Sequence, residues 1–247
     1  LDKKLSAADD ERVLSAALRR HAAGWIAARF PNGAPLPVEL ALESARARLD
    51  QAARILAVNV KDGWRLIHPE ARHVMPCEGL EIRGRIDRIE RHLDGRIRII
   101  DFKTSDKPAT PRDAHLRRKR DDDLPFRAVQ CGDKPWTWCD LQLPLYRMLH
   151  EHAADAGAGV AAIELAYINL PKNADEAGLV VWDDYSDDLH RSARNTVAEV
   201  VRLIRRRCFW PPADKVDYDD FECLFQWPVK EFFTATGMEN NMAGGRR

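Results

Sequence analysis

An excess of charge of one sign is missing from this chain of 247 residues, in which 39 Lys+Arg stand against 39 Asp+Glu. That balance excludes a globally basic coat for nucleic acid; a polyanion would have to be met by local cations or through bound metal. Long hydrophobic runs are missing too: no stretch of 18 apolar residues occurs, which excludes a helical membrane span. Residues 1–10 are charged rather than leader-like. Cysteine is scarce. Cys77, Cys131, Cys139, Cys208 and Cys223 are odd in number, widely spaced and without a C-x-x-C, against both a disulfide framework and a ribbon-type zinc site. No fixed-period repeat is present, and at 28.1 kDa the chain is long enough to bury its own core without staples. The expectation is a soluble cytoplasmic protein with reduced thiols and no membrane partner. Arginine supplies 29 of the 39 cations, a bias that suits phosphate but is weak alone.

Helical spacing of apolar residues covers Ser6 to Phe30 and again Val38 to about Asn59, with Pro31-Asn32-Gly33 between. Neither helix carries evident chemistry, and His21 reads as an ordinary helix residue. From Trp64 the pattern becomes stranded: Arg65 to Met75, Leu80 to His92 and Arg96 to Thr104, the last two split by the turn Leu93-Asp94-Gly95. Ser105 to Trp138, rich in Pro, Asp, Arg and Lys, reads as a long mobile loop. A helix over Asp140 to Ala154, a strand over Gly159 to Leu170 and a helix over Tyr185 to Cys208 follow, before Trp210-Pro211-Pro212. Three parts are expected: a helical segment over 1–62, a core with its C-terminal extension over 63–234, and a frayed tail over 235–247.

Chemistry concentrates in GRIDRIERHLDGRIRIIDFKTS, Gly84 to Ser105. Asp101 and Lys103 lie two apart on one strand and share a face. Register decides whether Asp87 joins them. A two-residue turn pairs Asp87 with Phe102 and turns it away. A three-residue turn or a bulge pairs it with Lys103, on a face shared with Ile89, Ile97 and Ile99. The second register is predicted, because two carboxylates converging in an apolar stripe are costly unless they hold a cation. Oxygen ligands of this kind suit Mg²⁺ or Mn²⁺, which can polarise a phosphodiester and lower the pKa of an attacking water. The alternative is an ordinary Asp/Lys ion pair on a solvated sheet face. Downstream, in LQLPLYRML, Gln142 and Tyr146 stack four apart on one helix face beside the apolar stripe Leu141, Leu145 and Leu149.

Together GRIDR, I-I-D-F-K-T and Q-x-x-x-Y resemble the RecB-like branch of the PD-(D/E)XK nuclease superfamily, and FWPPADKVDYDDFECLF (Phe209 to Phe225) is similar to the closing segment of AddB-type nuclease domains. The resemblance spans roughly Arg65 to Phe225. It implies an α/β restriction-endonuclease-like core, a central mixed β-sheet flanked by helices. It also implies a metal-dependent exodeoxyribonuclease activity on DNA ends or single strands, by metal-activated water, within a helicase–nuclease system of repair and recombination. Carried across, Asp87 and Asp101 become metal ligands, the Phe102 carbonyl a backbone ligand and Lys103 the catalytic lysine. Gln142 and Tyr146 take the family's helix positions, and Glu70 stands where such domains often carry a glutamate. Arg117, Arg118, Lys119 and Arg120 are candidate grips on a DNA strand, diluted by Asp121-Asp122-Asp123, while Trp136 and Trp138 are expected to pack against the following helix rather than stack on bases.

Two departures stand out. The G-x-x-x-H context of the family's first-helix metal histidine has no good match, and His21 lacks it. The expectation is that this motif lies upstream of Leu1, in a longer parent, or that the fold survives as a weakly active DNA-binding scaffold. The cysteines do not follow the cluster pattern of iron–sulfur AddB-like domains, so no cluster is predicted.

Overall fold

Apolar residues four apart (Leu14, Leu18, Ala22 and Ile26) give helix α1 (Glu11–Arg29) a stripe that lies on α2 (Leu36–Lys61). Pro37 in the first turn of α2 and Gly63 just beyond its end, at φ 97°, bound the second helix. Only the C-terminal half of α2 is buried, through Ala52, Ala53, Ile55, Ala57 and two polar residues, Gln51 and Asn59. The computed structural model describes residues 11–121, 123–131, 134–154 and 162–208. The motif at Phe209 to Phe225, the expected tail over 235–247 and the start of the first helix lie outside them.

The central sheet has the order β1-β2-β3-β7-β8, with β1 (Trp64–Cys77), β2 (Leu80–His92), β3 (Ile97–Lys103), β7 (Ile163–Asn169) and β8 (Gly178–Val181). β3 and β7 are parallel and the other neighbours antiparallel. α2 covers one face, packing Ala52 and Ile55 on Ile100, Ala166 and Ile168. The other face receives α4 (Gln142–Ala154) and α5 (Asp187–Arg205), which bury Leu143, Met148, Leu149, Leu189, Ala193, Val197 and Val201 against Ile86, Ile89, Ile99 and Leu165. Each Leu, Ile, Val and Met among them contributes about 1.5–3 kcal/mol by leaving water. α5 starts on Ser186, whose hydroxyl accepts the Leu189 N–H. Gly84 lets α4 press on β2: a Cβ there would stand 2.4 Å from Leu149 Cδ1.

Three expectations are corrected. The segment Ser105 to Trp138 is not a loop. It holds a short helix α3 (Pro111–His115), capped by Thr110, and a second sheet of order β4-β6-β5, from β4 (Leu116–Arg118), β5 (Ala128–Cys131) and β6 (Lys134–Trp138). Its charges bind one another: Arg117 is held by Asp123, itself buried, and Trp136 lies between the guanidinium groups of Arg112 and Arg118. Trp138 is buried in the main core but reaches past α4, donating to Ser192 on α5 at 3.1 Å. Strand β8 was not foreseen, its four residues being too short for a periodic signal. The β2–β3 turn has three residues, Leu93 to Gly95, with pairs from Arg91↔Ile97 to Arg88↔Ile100. Continuing that register sets Asp87 across from Asp101, not Lys103. Asp101 and Lys103 are two apart on β3, so the shared face with Ile89, Ile97 and Ile99 is kept.

Candidate active site

β3 emerges from the core at Asp101, the last fully covered position of its face, 3% exposed. Burial opposes its charge and raises the pKa; Lys103 pulls it back down, and the neighbouring charge and hydrogen bond of Asp87 raise it again. Lys103 Nζ sits 2.9 Å from Asp101 Oδ2 and donates to Gln142 Oε1 at 2.7 Å, 4.6 Å above the Tyr167 ring. Gln142 Nε2 donates to Asp101 Oδ1 at 2.9 Å and to the Tyr146 hydroxyl at 3.1 Å. This network fixes the orientation of the amide, since only its oxygen can serve the ammonium. Burial, then Asp101 and Asp87, push the Tyr146 phenol up, so it stays protonated and keeps its O–H to donate outward.

Asp87 occupies an interruption in β2. Ile86 and Ile89, three apart, both enter the main core, and although the β1–β2 register is unchanged from Pro69↔Arg88 to Ala71↔Ile86, Glu70 and Asp87 between them are not strand partners. Within that gap the Asp87 carboxylate accepts the Phe102 N–H at 3.1 Å, in place of a strand partner. Glu70 stands across from it in the same gap, at a left-handed φ of 45°, with its exposed carboxylate 3.6 Å from Arg85. The structure thus brings Asp87, Asp101, Lys103, Gln142 and Tyr146 together. Glu70 lies beside them but turned to solvent. Arg117, Arg118, Lys119 and Arg120 lie on and after β4, and none of the four enters the hydrogen-bonded cluster. His21 is exposed on α1, away from it.

Sequence reasoning missed the residues that aim α4. His115, fully buried, donates from Nδ1 to the Pro111 carbonyl at 2.7 Å, so its Nε2 is free to accept the Leu143 N–H at 3.1 Å. Burial lowers its pKa, consistent with a neutral ring. Asp140 Oδ1 accepts the Gln142 N–H at 2.7 Å. Two side chains therefore cap the first turn that carries Gln142. The D-x-Q spacing of Asp140 and Gln142 was a legible capping signal; His115, 28 residues upstream of its partner, was not. At the other end, Glu151 is tied to His190 and Arg147. Burial opposes its charge, but these bonds outweigh it and hold the carboxyl at about 2.

Two acids and one lysine leave the cluster one negative charge in excess. No group of three His, Cys, Asp or Glu suited to a metal is found among the described residues, so a cation here would draw on two carboxylates and other oxygens. That donor set fits a hard ion that keeps waters and shares substrate oxygens, such as Mg²⁺ or Mn²⁺, and does not fit zinc.

A mixed five-stranded sheet flanked by helices, with an acid pair and a lysine where β3 leaves the core, is the restriction-endonuclease-like architecture. A family model for the PD-(D/E)XK nuclease superfamily matches residues 2–225, and the chain belongs to that superfamily. The comparison with curated proteins returned no match. No helix among the described residues is long and apolar enough to cross a membrane.

Proposed function

We propose that this chain is a Mg²⁺- or Mn²⁺-dependent deoxyribonuclease of the RecB/AddB-like kind, acting from DNA ends or on single strands beside a helicase in cytoplasmic DNA repair and recombination. The observation that carries the reading is the buried Asp101 carboxylate, bound to Lys103 and Gln142 with Asp87 adding a second negative charge. Asp87, Asp101 and the Phe102 carbonyl would hold the ion, with Glu70 on β1 as a further candidate ligand. When bound, the ion supplies charge neutralisation and a lowered pKa for an attacking water. Lys103 holds a positive charge at the mouth of the site, where it meets a non-bridging phosphate oxygen and the negative charge that grows on it. Gln142 keeps that ammonium pointed, and the Tyr146 O–H donates to a phosphate oxygen. The test is calorimetric binding of Mn²⁺ and degradation of linear DNA by the purified chain, against D101A and K103A; unchanged cleavage in both variants overturns the assignment.

The exposed position of His21, and a search of the described residues that finds no group of three His, Cys, Asp or Glu suited to a metal, favour a second reading, a nuclease fold retained as a DNA-binding scaffold. DNA binding without metal-dependent cleavage supports it.

A further inference from the structure

The α1–α2 pair reaches beyond the end of the sheet at which the site opens. Arg48 donates to the Thr104 carbonyl at 2.6 Å, one residue past Lys103, while the far end of α2 meets the β2–β3 turn through Asp62 and His92. The buried part of α2 begins only at Gln51, so Leu36 to Arg48 extend outward by about 18 Å at the helical rise. α1 runs antiparallel beside them, fixed at the level of Asp50 by Ser15 and Arg19. Trp25 stands six residues, about 9 Å, further out along that arm.

The outward face of α1 differs from the stripe that packs on α2. Ala17, Arg20, His21, Gly24 and Trp25 line a shallow open recess on it, and Trp25 is 62% exposed. Neither Arg20 nor His21 has a carboxylate within ion-pair distance among the described residues, unlike Arg19, which is bound to Asp50. Gly24 has nothing within 4 Å of where a Cβ would stand, so packing does not demand it, although a glycine inside a helix costs about 1 kcal/mol relative to alanine. A bare aromatic, a flat floor beside it and the nearby Arg20 guanidinium form a platform on which a base stacks while the adjoining phosphate meets Arg20.

We infer that this face of α1 is an accessory binding site for single-stranded DNA, holding the strand beyond the sheet end at which the Lys103 cluster opens. Charge argues for this occupant, because Arg20 stands beside the ring with no carboxylate within ion-pair distance among the described residues. The inference rests on the nuclease reading for the identity of the strand. The experiment therefore separates the two. Binding of a labelled oligothymidylate is measured in EDTA by anisotropy for the full chain, W25A, W25F and R20Q. Hydrolysis of that oligonucleotide, and of thymidine 5′-(p-nitrophenyl) phosphate, is measured with Mn²⁺.

W25A is expected to bind the strand about tenfold more weakly, with W25F recovering most of the affinity, and R20Q to lower the salt slope by about one. Both changes slow cleavage of the long strand while hydrolysis of the small ester is unchanged. Wild-type binding by W25A overturns the inference. So does a W25A chain whose DNA binding is intact but which loses self-association in sedimentation, since the face is then a contact between copies. If the wild-type chain hydrolyses neither substrate, the nuclease assignment falls while the EDTA binding result still decides the site on α1.

Discussion

Two buried carboxylates on neighbouring strands show what separates a structural charge from a chemical one. Glu90, 1% exposed on the α2 side of β2, has a cation of its own: Arg88 Nε lies 2.6 Å from Oε1, and Asn59 adds a long contact from α2 at 3.4 Å. Its charge is matched inside the fold. Asp101, 3% exposed on the opposite face of β3, must share Lys103 with Asp87, and burial raises its pKa. One site is closed by its neighbours; the other remains short of positive charge and lies beside the partly exposed Lys103. A fold that buries acids at all needs the first arrangement for stability and can use the second for work.

The comparison breaks hardest at Lys103 and Asp101. K103A and D101A are expected to lower DNA cleavage at least about a thousandfold, with circular dichroism unchanged; comparable loss in R88A without unfolding would erase the distinction. R88A is expected instead to cost about 3–5 kcal/mol in urea denaturation, because Glu90 is left buried without its cation. D101N sharpens the contrast by going the other way. A carboxylate whose pKa is raised by the fold opposes folding at neutral pH, so the neutral isostere should raise the metal-free Tm by about 2–4 °C while cleavage is lost. A fall in Tm would show that Lys103 and Gln142 already satisfy the charge.

The smallest effect is in pH. Burial lowers the pKa of His73, His115 and His150 below the ordinary 6.5, so their contribution to stability is fully present above that value and is lost as pH falls through it. Glu151, depressed from 4.5 to about 2, adds a loss that begins near pH 4.5 and completes near 2. Thermal melts should therefore decline below pH 6.5, with H115Q flattening the upper part of that decline. A curve flat from 7 to 5 would contradict the buried neutral imidazoles.

Much of this was legible beforehand because it is local. The D-x-K pair shares a face by strand alternation alone, and Gln142 and Tyr146 share one by helical periodicity. The β2–β3 register was reached for a sound reason, the cost of burying acids, yet placed Asp87 two residues from its observed neighbour. The turn length alone decides that register: a three-residue turn pairs His92 with Arg96, and counting back along both strands sets Asp87 across from Asp101. The excursion after β3 misled for another reason. Composition identifies charge but not its partner, and Arg117 with Asp123, or Trp136 between two arginines, turns loop-like text into a sheet. His115 was invisible because its role is set by a backbone N–H far along the chain.

The course of that excursion has a consequence for how such a protein can change. The chain leaves the centre at Lys103, is pinned at once by the Asn169 side chain on the Ala109 backbone, and returns through His115 and Asp140 to the turn that bears Gln142. Everything between the anchors hangs outside the chemistry. Only the solvent-facing side of the second sheet can be recharged without touching the cluster, because Leu116 and Trp138 tie its inner side to the main core and the imidazole and the aspartate must come back to the same two N–H groups. Room for change therefore lies on the outer side of that sheet, while its inner side and its two anchors are held by the packing that aims Gln142.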